Sequence, residues 1–284
     1  MTPVPFPALN TLAALLPLLA LCALLLSTLA IFAVRCATRG RPRTPYIASR
    51  AMPAFWKWFM EWWVWLWGPV ERACLALGVS PNAITFASTA LAGIAAVLLG
   101  FGYLSVGGWV YLFGASLDLV DGRVARAQGS ASKAGAFLDS TLDRVAELLV
   151  FAALTVHFRD SVAIYAALAA AGSSVIVSYA RARGEALGVE HEASVGGMQR
   201  AERVVLTGLP CALSPLIDAL LGAGNGGRAV GSALGVLAAV TSLTALRRGH
   251  AIWRALRGTA LEAGGRANVR WLDPMRRREK RPGS

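Results

Sequence analysis

A chain of 284 residues with 28 Lys and Arg against 16 Asp and Glu carries a net charge of +12, yet 56% of its residues are hydrophobic and only 15% are charged. Intrinsic disorder is excluded, because disordered chains of high net charge are poor in apolar residues. An ordinary soluble domain is excluded too: the apolar residues lie in long blocks with basic ones between them, as in a multi-spanning membrane protein.

Residues 1–34 contain no charge, and 9–34 predict a helix longer than the roughly 30 Å hydrocarbon core requires. A cleaved signal peptide is the rival reading. It lacks a basic leading region, and the apolar stretch is too long for one. Arg35, Arg39, Arg41 and Arg43 follow at once, which places this end in the cytoplasm and the N-terminus outside.

Residues 53–69 hold Trp56, Trp58, Trp62, Trp63, Trp65 and Trp67 beside Lys57 and Glu61. Indole rings favour the headgroup level, so the stretch predicts a helix lying in the cytoplasmic interface. Nucleic-acid stacking would need a track of basic residues, which this stretch lacks.

Six further apolar blocks follow, at about 83–103, 106–126, 135–157, 161–182, 201–222 and 228–247. Ser80-Pro81-Asn82 reads as the entry to the first. Counted from an outside N-terminus, the spans end in the cytoplasm, where Arg266, Arg270, Arg276, Arg277, Arg278, Lys280 and Arg281 face anionic lipid rather than nucleic acid. The expected organisation is an all-α integral membrane protein. Residues 1–45 form an extra N-terminal transmembrane helix and basic linker, 46–250 the membrane domain, and 251–284 a basic cytoplasmic tail. Cys22, Cys36, Cys74 and Cys211 are scattered and keep no ligand spacing with His157, His191 or His250, so neither a disulfide framework nor a zinc site is expected.

Chemistry concentrates in residues 117–147, where Asp118, Asp121, Asp139 and Asp143 fall on or beside apolar helices. A charge there is expensive and points to function. Asp118 and Asp121 are three apart, Asp139 and Asp143 four apart, so each pair projects from one helix face. Residues 128–132 read as a short turn that makes the two helices antiparallel neighbours and brings the pairs together. Four converging carboxylates repel one another unless cations intervene, and such oxygen ligands favour Mg²⁺ or Mn²⁺, which in turn bind phosphates. Gly122 and Ala125 let a ligand approach the backbone or simply permit helix packing. Arg126 can pair with the carboxylates or hold a pyrophosphate oxygen.

Asp118-x-x-Asp121-Gly122-x-x-Ala125-Arg126, then eight residues, then Gly135-x-x-x-Asp139-x-x-x-Asp143 resembles the signature of the CDP-alcohol phosphatidyltransferases at every fixed position. The resemblance implies a six-helix bundle over about residues 53–250, with the leading helix outside the family's minimal core. It also implies a reaction in which an acceptor hydroxyl attacks the β-phosphorus of a CDP-linked lipid such as CDP-diacylglycerol, and CMP leaves. By that resemblance Asp118, Asp121 and Asp139 hold the metal, and Asp143 is the general base and a further metal contact. Asp118, Gly122, Ala125, Arg126 and Gly135 line the CDP-lipid site, and the enzyme is a homodimer with its active site facing the cytoplasm.

The acceptor is addressed by residues 179–185 and 199–203, which present Arg181, Arg183, Arg200 and Arg203 at one membrane face. For Arg183 and Arg200, ordinary positive charge at the cytoplasmic face explains the position as well as function does. SYARARGEALG followed by RAER resembles the phosphatidylinositol phosphate synthase branch, which implies that Arg181 and Arg203 hold the acceptor's phosphate. A phosphorylated alcohol is therefore expected, inositol phosphate ahead of glycerol phosphate. A cation-coupled transporter would also explain intramembrane aspartates, but not Gly122, Ala125, Arg126 and Gly135 at their positions.

Overall fold

The computed structural model describes residues 11–42, 54–190 and 197–264, and all the regular structure among them is helical. Arg43, Pro53, His191 and the basic residues from Arg266 onward lie outside the described residues. In chain order the helices are α1 (Thr11–Arg39), α2 (Ala54–Leu66), α3 (Gly68–Ala76), α4 (Pro81–Gly100), α5 (Leu104–Ala127), α6 (Lys133–His157), α7 (Ala163–Ala186), α8 (Arg200–Ala212), α9 (Ser214–Leu221) and α10 (Asn225–Gly264).

Four described helices are long and apolar enough to cross a membrane, within Leu15–Arg39, Pro81–Gly100, Ala163–Ala186 and Asn225–Arg257. A fifth span results if α8 and α9 count as one. Helices α5 and α6, of 24 and 25 residues, have the length to cross but carry the charged motif. The protein is thus an all-α, multi-span membrane protein with a Trp-rich helical region.

Local chemistry accounts for the boundaries. Ser80 caps α4, its hydroxyl accepting from Ala83 N at 3.3 Å with Pro81 in the first turn, as the sequence predicts. Ser132 caps α6 in the same way, accepting from Gly135 N at 3.1 Å. Between α5 and α6, Gly129 turns the chain at φ 65°.

Three expectations are corrected. The Trp-rich stretch is two helices, α2 and α3, which meet at Trp67 with Pro69 in the first turn of α3. Within it Trp62 is buried, and the indole N–H groups of Trp56, Trp62 and Trp67 are shielded without a partner among the described residues. The block at 201–222 is bent by 52° between α8 and α9, around Leu213 and just ahead of Pro215. The two motif helices each pack along α4 more than along one another, because the small residues of α4, among them Ala92, Ala95 and Ala96, admit both.

The chain divides into two compact units. The first comprises residues up to Gly172 together with Gln199–Ala239, and contains the carboxylate motif. Its core gathers Leu99, Tyr111, Phe151, Leu154, Cys211 and Leu234. Helix α8 lies close on α5, where a Cβ at Gly108 would collide with the backbone of Gly208 and Ala212, and one at Gly208 would stand 2.7 Å from Leu112. The second unit comprises Ser173–Met198 and Val240 onward, where buried Arg248 donates from Nη1 to the Val177 carbonyl at 2.9 Å. The four cysteines are free.

Candidate active site

Asp118 and Asp121 stand one turn apart near the C-terminal end of α5, while Asp139 and Asp143 stand one turn apart in the first half of α6. One carboxylate oxygen from each of Asp118, Asp121 and Asp139 lies within 4.8 Å of the others. Oxygens sharing one octahedral Mg²⁺ are about 3.0 Å apart when adjacent and about 4.2 Å apart when opposite, so these three stand near enough for side-chain adjustment to make them a ligand set. Oδ1 of Asp118 and Oδ1 of Asp139 are buried and accept no hydrogen bond from the described protein. Buried anionic oxygens without donors are what a hard cation satisfies, so the residues fit a divalent metal.

Asp121 is oriented from two sides. Thr85 of α4 donates to its Oδ2 at 2.6 Å, and its own neighbour Gly122 N donates to Oδ1 at 2.5 Å. Asp143 stands outside the three-carboxylate set, and Arg200 of α8 engages it at 2.7 Å through Nη2. The other terminal nitrogen of Arg200, Nη1, pairs with Asp118. One guanidinium therefore joins a carboxylate of each motif helix. Arg203, three residues on, meets Glu147 of α6 through Nε at 2.5 Å and Nη2 at 3.0 Å.

Gly122 and Ala125 are half-buried and Arg126 is exposed, with its Nη1 3.4 Å from where a Cβ on Gly122 would sit. A Cβ on Gly135 would stand 3.3 Å from Ser132 Oγ, crowding the cap of α6. Arg181, in the second compact unit, forms an exposed pair with Glu185 at 2.8 Å. Sequence reasoning assigned no part to Thr85 or Glu147 and left Arg200 between two readings. A Thr four residues after Pro81 carries no signal by itself. The three-residue spacing of Arg200 and Arg203, matched to the four-residue spacing of Asp143 and Glu147, was the available clue.

A family model described as CDP-alcohol phosphatidyltransferase matches residues 78–244. The chain belongs to that family. As a CDP-alcohol phosphatidyltransferase it is an enzyme whose matched segment runs from the entry of α4 into α10 and contains every motif residue above. A phosphatidylinositol phosphate synthase of Mycobacterium tuberculosis is 31% identical to this transferase over 192 residues, covering 65% of this chain and 84% of that one. One from Mycolicibacterium smegmatis is 35% identical over 189 residues, covering 65% and 82%. The crystal structure of the M. tuberculosis enzyme with CDP-DAG bound is similar with a TM-score of 0.58 at 29% identity, covering 65% of this chain and 92% of that one. In its complex with manganese and citrate the TM-score is 0.57, with 65% and 88% covered.

Proposed function

We propose that the transferase moves a phosphatidyl group from CDP-diacylglycerol to inositol phosphate and releases CMP. The observation that carries this reading is the juxtaposition of two features on one site. A three-carboxylate set fits a divalent cation, and two arginines of α8 reach the acids of α6 beside it. Asp118, Asp121 and Asp139 would hold Mg²⁺ or Mn²⁺, which when bound would neutralise charge on the pyrophosphate and on the departing CMP.

The chain's own residues do the rest. Asp143 takes the proton of the attacking hydroxyl as the new P–O bond forms and the bond to CMP breaks. Gly122, Ala125, Arg126 and Gly135, with Asp118, line the CDP-lipid side. Arg203 faces the acceptor phosphate, with Arg200 beside it as the guanidinium already shared between Asp118 and Asp143. For Arg181, a hold on the same phosphate rests on the resemblance alone. Lipid tails must stay in hydrocarbon while nucleotide and acceptor stay wet, which favours a site at helix ends facing the cytoplasm, with the N-terminus outside. The resemblance further supports a homodimer embedded among membrane lipids, and a membrane domain at 46–250 between the N-terminal helix and a basic tail.

The deciding experiment offers inositol phosphate, glycerol phosphate, inositol and serine to purified enzyme with CDP-diacylglycerol and Mn²⁺, and identifies the lipid product by mass. Phosphatidylinositol phosphate formed ahead of all others is the expected result. Phosphatidylglycerophosphate as the main product would replace the acceptor assignment while keeping the reaction class.

A further inference from the structure

Helix α1 precedes the family-matched segment, so family membership gives it no task. Most of its surface is bare: Leu16, Leu24, Leu26, Ile31 and Val34 are all exposed, as suits a span facing lipid. Leu18 and Phe32 are buried, and of the two it is Phe32 that meets α2. It is fully buried, with its ring 5.6 Å from those of both Trp58 and Trp65 on α2. Just past the end of α1, Arg41 pairs with Glu61, a carboxylate of α2 that is only 4% exposed. An unpaired carboxylate at that depth would be strongly unfavourable, and Arg41 brings a counter-charge to α2 from just beyond α1.

Helices α2 and α3 in turn brace α5. Trp63 Nε1 donates to Ser116 Oγ at 3.0 Å, and Arg123 pairs with Glu71 while its Nη1 stands 3.4 Å from the Val64 carbonyl. Ser116 and Arg123 bracket Asp118 and Asp121, one anchor on each side of the first carboxylate pair. Val120, between the anchors, and Val124, just past Arg123, pack with Trp67 and Leu75.

We propose that the N-terminal helix is a positioning element of the active site: Phe32 and Arg41 fix α2, and α2 with α3 holds the stretch of α5 that presents Asp118 and Asp121. The linkage runs through packed rings, two hydrogen bonds and two ion pairs joined by the backbone of α2 and α3, and a set of contacts this short can carry a measurable coupling.

The test uses the full chain in lipid nanodiscs and reads Mn²⁺ affinity by electron paramagnetic resonance, together with CMP release and melting temperature. Arg41→Glu and Glu61→Arg, separately, are expected to weaken Mn²⁺ binding about fivefold and to slow CMP release, and the double exchange to restore both. Unchanged Mn²⁺ affinity in folded single variants would overturn the proposal and leave α1 as an anchor only, even if the melting temperature fell. So would a double exchange as weak as the singles. Should Glu61→Arg not fold, Arg41→Gln and Phe32→Leu answer the same question, with weaker Mn²⁺ binding expected and no change overturning it. Mn²⁺ binding is read without any acceptor, so its outcome is separate from the assignment of inositol phosphate.

Discussion

Arg200 and Arg203 begin the same helix and both meet carboxylates of α6, but their surroundings differ. The side chain of Arg200 is 24% exposed and divides itself between Asp118 and Asp143, which belong to different helices. That of Arg203 is 4% exposed and gives two nitrogens to one residue, Glu147. A shared guanidinium at the rim can exchange one carboxylate for a phosphate without leaving a buried charge bare. A deep, bidentate pair resists that exchange, because separating it strands an ion in low dielectric, and Arg203 can meet a phosphate only through Nη1, which its pair with Glu147 does not use. One helical turn thus divides a guanidinium that can turn wholly to substrate from one that must also hold α8 against α6.

The sharpest break in this comparison is at the acid that Arg200 touches. Asp143→Asn removes the proposed base while keeping size and shape. Turnover should fall by about 10²- to 10⁴-fold, the usual range for general-base catalysis, with helix content and Mn²⁺ binding retained. CMP release at the wild-type rate would take Asp143 out of that role. Chelation of divalent metal should abolish turnover of the native enzyme to the same floor, with recovery on adding Mg²⁺ or Mn²⁺.

Arg200→Gln comes next. It leaves Asp118 and Asp143 without their cation and should raise KM for inositol phosphate about tenfold or more, since a lost charge-assisted contact is worth about 1.5–3 kcal/mol. Melting temperature should fall less than for a fully buried pair, because the Arg200 side chain is 24% exposed. Glu147→Gln reverses the pattern: breaking a buried pair by removing one partner costs about 3–5 kcal/mol, so the folded protein in detergent should melt many degrees lower. Arg203→Met combined with Glu147→Leu should regain most of that stability, because the desolvation of two ions is removed with their attraction. If the acceptor KM of this double variant stays near native, Arg203 serves packing alone. If it rises while the donor KM does not, Arg203 also touches the phosphate.

The sequence made the aspartates legible because burying charge in apolar helices is costly, and their three- and four-residue spacings fix which face they share. Ser80 and Pro81 announced the start of α4 for an equally local reason. What stayed hidden depends on contacts between distant segments. Thr85 lies 36 residues from Asp121, and Arg200 lies 82 from Asp118. No periodicity encodes which of four arginines will turn inward. The ring contacts of the tryptophans were hidden for the same reason: indole is amphipathic, and which ring it meets is decided by neighbours such as Phe59 and Phe113, not by its own chemistry.

Arg181 gives the smallest effect and the cleanest separation of binding from folding. It pairs with Glu185 one turn along α7, with both side chains about half exposed at 55% and 46%. An exposed pair of this kind contributes about 0–1 kcal/mol, so Arg181→Ala should leave the melting temperature within a degree or two of native. Its removal therefore reads ligand contact almost alone. If Arg181 reaches the acceptor phosphate, KM for inositol phosphate should rise about threefold to tenfold, and raised salt, which screens an exposed charge, should shrink that difference. A rise shared equally by CDP-diacylglycerol would assign the residue to the general field of the membrane face, and no rise at all would leave the phosphate to Arg200 and Arg203.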